Sequence, residues 1–272
     1  MWKAKKPGLK ADLVYLKPMT DRPQSYADEP PSGVQRTNCA FEAKRKTILS
    51  MRALPDAGGI DQCGFTLLKR PVAVKNFYDD KEVQDVYYAD IRQLLKSVMG
   101  ATEVFVFDHR QRRRPDRPEP PVAGGPRQPI WQAHVDYTDR SGPEFARTTL
   151  PLGTETNERI RIVNLWRPLH GPLHDAPLAV CDSRTVGEQD LVETDLIYPD
   201  KVWQIYSVTA NPAHQWYYAP QMTPDEVLLF KSFDSETDGR ARFTPHAAFE
   251  NPAAPPRSRP RESIEARALI IG

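Results

Sequence analysis

One run of seven residues, Trp131-Gln132-Ala133-His134-Val135-Asp136-Tyr137, carries the residue types best suited to chemistry in this 272-residue chain. Its alternation reads as a short strand. Successive side chains of a strand point to opposite faces, so His134 and Asp136 project together. An imidazole and a carboxylate side by side, joined by a second histidine from elsewhere, form the triad that holds Fe(II) and leaves the opposite coordination positions open. His246 is the expected second histidine, with His214, which opens an aromatic strand, as its rival. His170 and His174 straddle Gly171-Pro172 and so cannot share a helix face as a zinc-protease pair does. His109, beside Asp108 at a strand end, reads as a turn residue. Of the six histidines, only His134 has a carboxylate two residues away.

A second group suits an anion. In a strand, Arg261 and Ser263 share a face, and a guanidinium beside a hydroxyl is a good clamp for a carboxylate. The same alternation runs on through Glu265 to Arg267, which is either a second candidate for the anion or a partner for Glu265. The segment from Arg112 to Arg127 is rich in Arg and Pro and contains Gly124-Gly125. It reads as a mobile loop just ahead of the His134 strand, either solvated surface or a lid that recruits an anionic substrate.

These groups need a scaffold. Val83, Val86, Tyr87, Ile91, Leu94, Leu95 and Met99 recur at helical spacing, and Gly100 supplies a stop, which predicts a helix from Asp79 to Gly100 lying on a sheet. Short apolar or alternating runs predict strands at 12–16, 64–68, 103–107, 159–169, 177–182, 227–231, around His246, and at 263–271. Gly142 to Leu150 suggests a short helix. The runs 202–208 and 214–218 flank Asn211-Pro212 and resemble a hairpin, and Thr223-Pro224-Asp225-Glu226 resembles the start of a helical turn. With about eight strands after residue 131 and no sustained helical period there, the pattern predicts a mostly β protein with flanking helices, of jelly-roll type. Residues 1–60 read as an extension that wraps the core, and 61–272 as the jelly-roll domain.

Bulk composition narrows the partners. Lys and Arg number 37 against 36 Asp and Glu, a net charge of +1, so there is no electrostatic case for a nucleic-acid or membrane partner. Cys39, Cys63 and Cys181 show no C-x-x-C spacing and cannot all pair, which favours a reduced, intracellular setting. The first residues contain no apolar signal-like stretch, and no run approaches a membrane span. The expectation is a cytoplasmic protein acting on a small molecule. Nothing in the sequence sets an oligomeric state.

Taken in order, several segments resemble the iron(II)/2-oxoglutarate-dependent oxygenases, and more closely the microbial hydroxylase/desaturase family of secondary metabolism. That group includes a fungal gibberellin desaturase, an aziridine-forming oxygenase and the cephamycin 7α-methoxylation protein. The segments are Phe107-Asp108-His109, Ala133 to Tyr137, Asn164-Leu165-Trp166-Arg167-Pro168-Leu169, Lys231 to Ser235, Thr237 to Ala241 and Arg261 to Arg267. The resemblance covers roughly residues 60–272. It implies a double-stranded β-helix, Fe(II) on His134, Asp136 and His246, and O2 and 2-oxoglutarate as co-substrates, the distal carboxylate of the latter on Arg261 and Ser263. It also implies a small natural-product substrate in a pocket that includes Tyr137, Asn164 and Arg167, and its hydroxylation, desaturation or cyclisation. The alternative is a jelly-roll protein that binds a small molecule without catalysis. A methyltransferase is disfavoured because no glycine-rich strand–turn–helix opens the chain, and a zinc hydrolase would leave Arg261-x-Ser263 without a purpose.

Overall fold

The computed structural model describes residues 8–54, 59–115, 125–150 and 158–272. The chain begins with β1 (Gly8–Leu16), β2 (Gln24–Tyr26), β3 (Phe41–Ser50) and β4 (Phe65–Lys69). A helical stretch follows: α1 (Asp80–Glu82), a π turn (Val83–Tyr87) and α2 (Tyr88–Met99). Next come β5 (Glu103–Arg113), β6 (His134–Val135), α3 (Ser141–Thr149), β7 (Ile160–Pro168) and β8 (Leu178–Cys181). The remaining strands are β9 (Leu191–Ile197), β10 (Val202–Val208), β11 (Trp216–Tyr218), β12 (Glu226–Asp234), β13 (His246–Ala248) and β14 (Glu262–Ile271).

These strands form a nine-stranded sheet, β1-β3-β11-β8-β13-β6-β10-β9-β2, and a five-stranded sheet, β4-β12-β7-β14-β5. The two sheets face one another as a jelly roll. Period-two alternation decides what each strand gives to the interior. From β7, Trp166 joins Phe65, Leu228 and Phe230 of its own sheet and Leu178, Val180 and Tyr217 of the other at one end of the sandwich. Ile162, Phe233 and Leu269 meet Val135 and Tyr206 at the other end, with Tyr137 and Ala146 of α3. The opposite residues of β7, Val163 and Leu165, turn outward against Ile91, Leu94 and Leu95 of α2. That helix forms where the helical spacing predicted it. Asp79 caps its start by accepting from the amides of Lys81 and Glu82, and Gly100 ends it in the left-handed conformation, φ 63°, which glycine adopts without steric cost.

The three strands described before position 61, β1, β2 and β3, are built into the larger sheet. β1 and β3 extend one edge, and β2 pairs with β9 at the other. Leu13, Tyr15 and Ile48 cover Ala179, Cys181 and Trp216 on the outer face. Two local expectations are corrected. The runs 202–208 and 216–218 are not a hairpin, because β10 pairs with β9 and β6 whereas β11 pairs with β8 and β3. Thr223 to Glu226 is a turn and not the start of a helix. Glu226 bonds back to the Thr223 amide at 3.0 Å, is held by both terminal nitrogens of Arg52, and leads straight into β12. Of the expected loop from Arg112 to Arg127, residues 116–124 lie outside the described residues, and Arg112 and Arg113 belong to β5.

Candidate active site

His134 and His246 are direct antiparallel partners across β6 and β13. Directly opposed residues present their side chains on the same face, so one strand register brings together two histidines far apart in sequence. Their ring centroids lie 4.3 Å apart, and both are buried. His134 Nδ1 faces the Gln132 carbonyl at 2.8 Å, and His246 Nδ1 faces the Thr244 carbonyl at 3.1 Å. A donor N–H fixed on each Nδ1 leaves the Nε2 lone pairs free for a metal. Asp136, just past the end of β6, brings Oδ1 to 3.4 Å from His134 Nε2 and 3.9 Å from His246 Nε2. One donor atom from each of the three residues lies within 4.8 Å of the others.

The carboxylate is held from the opposite sheet. Asn164 Nδ2 donates to Asp136 Oδ2 at 2.8 Å, and Ser232 Oγ donates to Asn164 Oδ1 at 2.9 Å, so Oδ1 is the oxygen turned to the histidines. Burial alone would raise the Asp136 carboxyl. The bond from His134 and the charges of His246 and Arg267 outweigh burial and hold it well below the usual carboxylate range. Burial and then the charge of His134 push His246 down to about 3. Two imidazoles and one carboxylate form a donor set that fits Fe(II).

Deeper in the barrel, Arg261 is buried with Nε donating to Ser263 Oγ at 3.0 Å and Nη1 to the Ala176 carbonyl at 3.0 Å. Its guanidinium stacks on Trp166, 4.9 Å from the ring centre. Its guanidinium forms no salt bridge with a carboxylate among the described residues; Asp175 instead accepts from its backbone amide at 2.9 Å. Burial and then the charge of Arg112 push it down to about 9. Trp166 Nε1, a second buried donor, has no acceptor. An unpaired buried cation beside an orphaned N–H is costly unless an anion arrives, and a carboxylate matches both.

The other predicted residues are distributed as follows. Arg267 pairs with Asp108 and not with Glu265. Tyr137 is buried between Phe145 and Trp203 and lines a cavity of about 790 Å³ that also reaches His134, Asp136 and Arg267. Asn164 serves Asp136. Arg167 is a correction: it lies on the outward face of β7, three residues from Asn164, and bonds Tyr87 Oη and the carbonyls of Arg70 and Pro224. Arg167→Met is expected to cost about 2–4 kcal/mol of stability while leaving 2-oxoglutarate half-saturation unchanged. Urea unfolding beside a co-substrate titration checks both. His214 lies elsewhere, bonded to Asp190 at 3.0 Å and stacked on Tyr15.

Two interior residues have places other than those the sequence suggests. Arg112 stands opposite Ser263 on β5 and lines the cavity. Its signal was the alternation Asp108, Arg110, Arg112, obscured by the Arg/Pro-rich stretch that follows. Glu265 faces inward between Ser263 and Arg267, and burial and then the charge of Asp136 raise its carboxyl. The residue Phe107 is an extra one where β5 pairs with β14: Arg267 faces Asp108, and Ala268 faces Val106. This bulge lets consecutive residues, Phe107 and Asp108, both reach the cavity, which a regular strand forbids.

A jelly roll that brings together two histidines and a carboxylate, with a buried arginine that forms no salt bridge among the described residues, defines an iron(II)/2-oxoglutarate oxygenase scaffold. A family model described as an oxidoreductase/YMDC permease-like domain matches residues 13–271. The chain is 34% identical over 269 residues to the hydroxylase/desaturase efuI of Hormonema carpetanum, covering 88% of this chain and 87% of that one. It is 30% identical over 231 residues to the alpha-ketoglutarate-dependent dioxygenase phiK of a fungal species, covering 78% and 79%. The solved structure of the iron and alpha-ketoglutarate-dependent endoperoxidase NvfI superposes with a TM-score of 0.85 at 26% identity over 99% of each chain. The protein of that name from Aspergillus novofumigatus is 26% identical over 275 residues, 96% of each. The chain belongs to the family of fungal hydroxylase/desaturases and Fe(II)/2-oxoglutarate-dependent dioxygenases. It is an oxidoreductase that uses Fe(II), 2-oxoglutarate and O2. No helix among the described residues is long and apolar enough to cross a membrane.

Proposed function

We propose that His134, Asp136 and His246 hold Fe(II), that Arg261 and Ser263 seat the distal carboxylate of 2-oxoglutarate, and that the enzyme oxidises a C–H bond of a small natural-product intermediate. The observation that carries this reading is the convergence of three donors from β6 and β13 with both Nδ1 atoms already engaged by backbone carbonyls. Iron held by His134, Asp136 and His246, with 2-oxoglutarate and dioxygen, would supply an oxidant for unactivated C–H bonds, with succinate and CO2 as co-products. The outcome is a hydroxylated, desaturated or cyclised product. The chain's own groups set the stage. Asn164 fixes which Asp136 oxygen faces the metal, Arg261 and Ser263 orient the co-substrate, and Tyr137 borders the space where the substrate lies. The Arg267–Asp108 pair contributes to that same border. The balanced net charge, +1, supports an enzyme without a nucleic-acid partner, and the free thiols of Cys39, Cys63 and Cys181 support a reduced, cytoplasmic setting.

The direct test is anaerobic titration with Fe(II) and then 2-oxoglutarate, watching for the weak visible charge-transfer band of the chelate. Stoichiometric iron and a saturable band are expected; a protein that binds neither is a metal-free binding protein. Asn164→Ala is expected to weaken metal affinity by roughly 10–100-fold, as loss of a partner to a ligand does, without abolishing the band at high iron. An unchanged iron affinity in that variant would remove Asn164 from the metal's support.

A further inference from the structure

Resting on the function just proposed, we infer that the substrate carries a carboxylate that seats on Arg112 and lays its carbon body along an aromatic wall of the same cavity. The cavity is lined by six basic side chains, Arg36, Arg110, Arg112, Arg127, Lys201 and Arg267, and by two acidic ones, Asp108 and Asp136. Both carboxylates are engaged. Asp108 pairs with Arg267 and Arg110, and Asp136 with His134 and Asn164. Among the described residues, neither carboxylate of the cavity lining pairs with Arg112, Arg127, Arg36 or Lys201; Glu265, outside that lining, acts on Arg112 through its charge.

Arg36, Arg127 and Lys201 are exposed at the rim, where solvated cations are ordinary. Arg112 differs. It rises from the inner face of β5, and among the described residues its side chain donates to the Gln128 carbonyl, at 3.0 Å from Nη1. Burial pushes its guanidinium down from the usual value, and Glu265 and Asp136 only partly restore it. Arg112 lines the same cavity as His134 and Asp136, so an anion on Arg112 shares that space with the metal site. A guanidinium in this setting favours a bidentate carboxylate.

The remaining wall suits an apolar body. Phe107, Phe145, Tyr137 and Trp203 pack on one another, with centroids 4.5 Å apart for Phe107–Phe145 and 5.7 Å for Tyr137–Trp203. They border His134 and Asp136 in the cavity lining. The volume, about 790 Å³, falls within the range of pockets that enclose a small organic ligand. One end of the substrate is thus read by charge, and its flat or apolar remainder by stacking.

The test uses 9-anthracenecarboxylate and its methyl ester as fluorescent probes, with anisotropy measured on the Fe(II)- and 2-oxoglutarate-loaded enzyme without oxygen. The acid is expected to bind at least about tenfold more tightly than the ester, and added salt to erode that preference. Arg112→Gln should abolish the preference while leaving ester binding within about twofold; Arg112→Lys should retain part of it. Equal binding of acid and ester by the native enzyme, or of neither, overturns the inference, as does a preference that survives Arg112→Gln. So does a rise in 2-oxoglutarate half-saturation in Arg112→Gln as large as that in Arg261→Gln, because Arg112 then serves the co-substrate. Probe binding is repeated on chelator-stripped protein. A preserved acid preference there, with no charge-transfer band on reloading, would sink the iron site and leave this inference standing.

Discussion

Alanine at His134, Asp136 or His246 is expected to abolish stoichiometric Fe(II) binding and with it turnover. The loss should exceed the roughly 10–100-fold that follows from removing an outer partner of a ligand, because three protein donors leave no spare. Each imidazole is held by its Nδ1 contact and each sits in a buried wall, and among the described residues these three are the one group placed to share an ion. His214→Ala is the matched control: it removes a buried histidine that bonds Asp190 and should keep its iron. Equilibrium dialysis followed by metal analysis decides the matter. A His246→Ala protein that retains one iron, or a His214→Ala protein that loses it, would overturn the assignment.

Arg261→Gln should leave iron in place but raise 2-oxoglutarate half-saturation roughly ten- to hundredfold, the equivalent of about 1.5–3 kcal/mol for a charge-assisted pair to a carboxylate. Ser263→Ala removes a neutral hydroxyl and should cost less. Arg267→Ala separates the two arginines, since Asp108 already neutralises Arg267 whereas Arg261 has no such partner. Succinate formation against 2-oxoglutarate concentration supplies the measurement. A co-substrate lacking the distal carboxylate, such as 2-oxobutyrate, should be used equally by native enzyme and Arg261→Gln. If Arg267→Ala instead raises half-saturation while Arg261→Gln does not, the clamp lies six residues further along β14.

Much of this arrangement is legible in single residues. The His134-x-Asp136 spacing fixes a shared side for two donors, and the alternation from Arg261 to Arg267 places a row of charged groups inward. The partner histidine is harder, because it depends on which strand lies beside β6, a tertiary fact that no local period encodes. Arg167 illustrates an avoidable error: it and Asn164 are three apart in one strand, so period two already excludes both from one pocket. Arg112 was hidden by composition. Its strand continues into an Arg/Pro-rich stretch, and that polarity resembles a loop because the strand faces a polar cavity instead of an apolar core. The missed β9, Leu-Val-Glu-Thr-Asp-Leu-Ile, suffers the same masking, since Thr194 and Leu196 border that cavity too.

The placement of β1 and β2 on opposite edges of the nine-stranded sheet has a kinetic consequence. Both terminal strands of that sheet come from residues 8–26, ahead of residues 134 to 248 that make its centre. β2 must wait for β9, and β3 for β11, while β5 pairs with β14 near the opposite end of the chain. Such non-local pairings carry the loop-closure entropy that slows β-rich chains. Until they form, unpaired edges are open to association with other chains. Recombinant yield should therefore respond more to slow expression at low temperature than to added iron, and removing β1 should produce aggregation before it produces an inactive soluble enzyme.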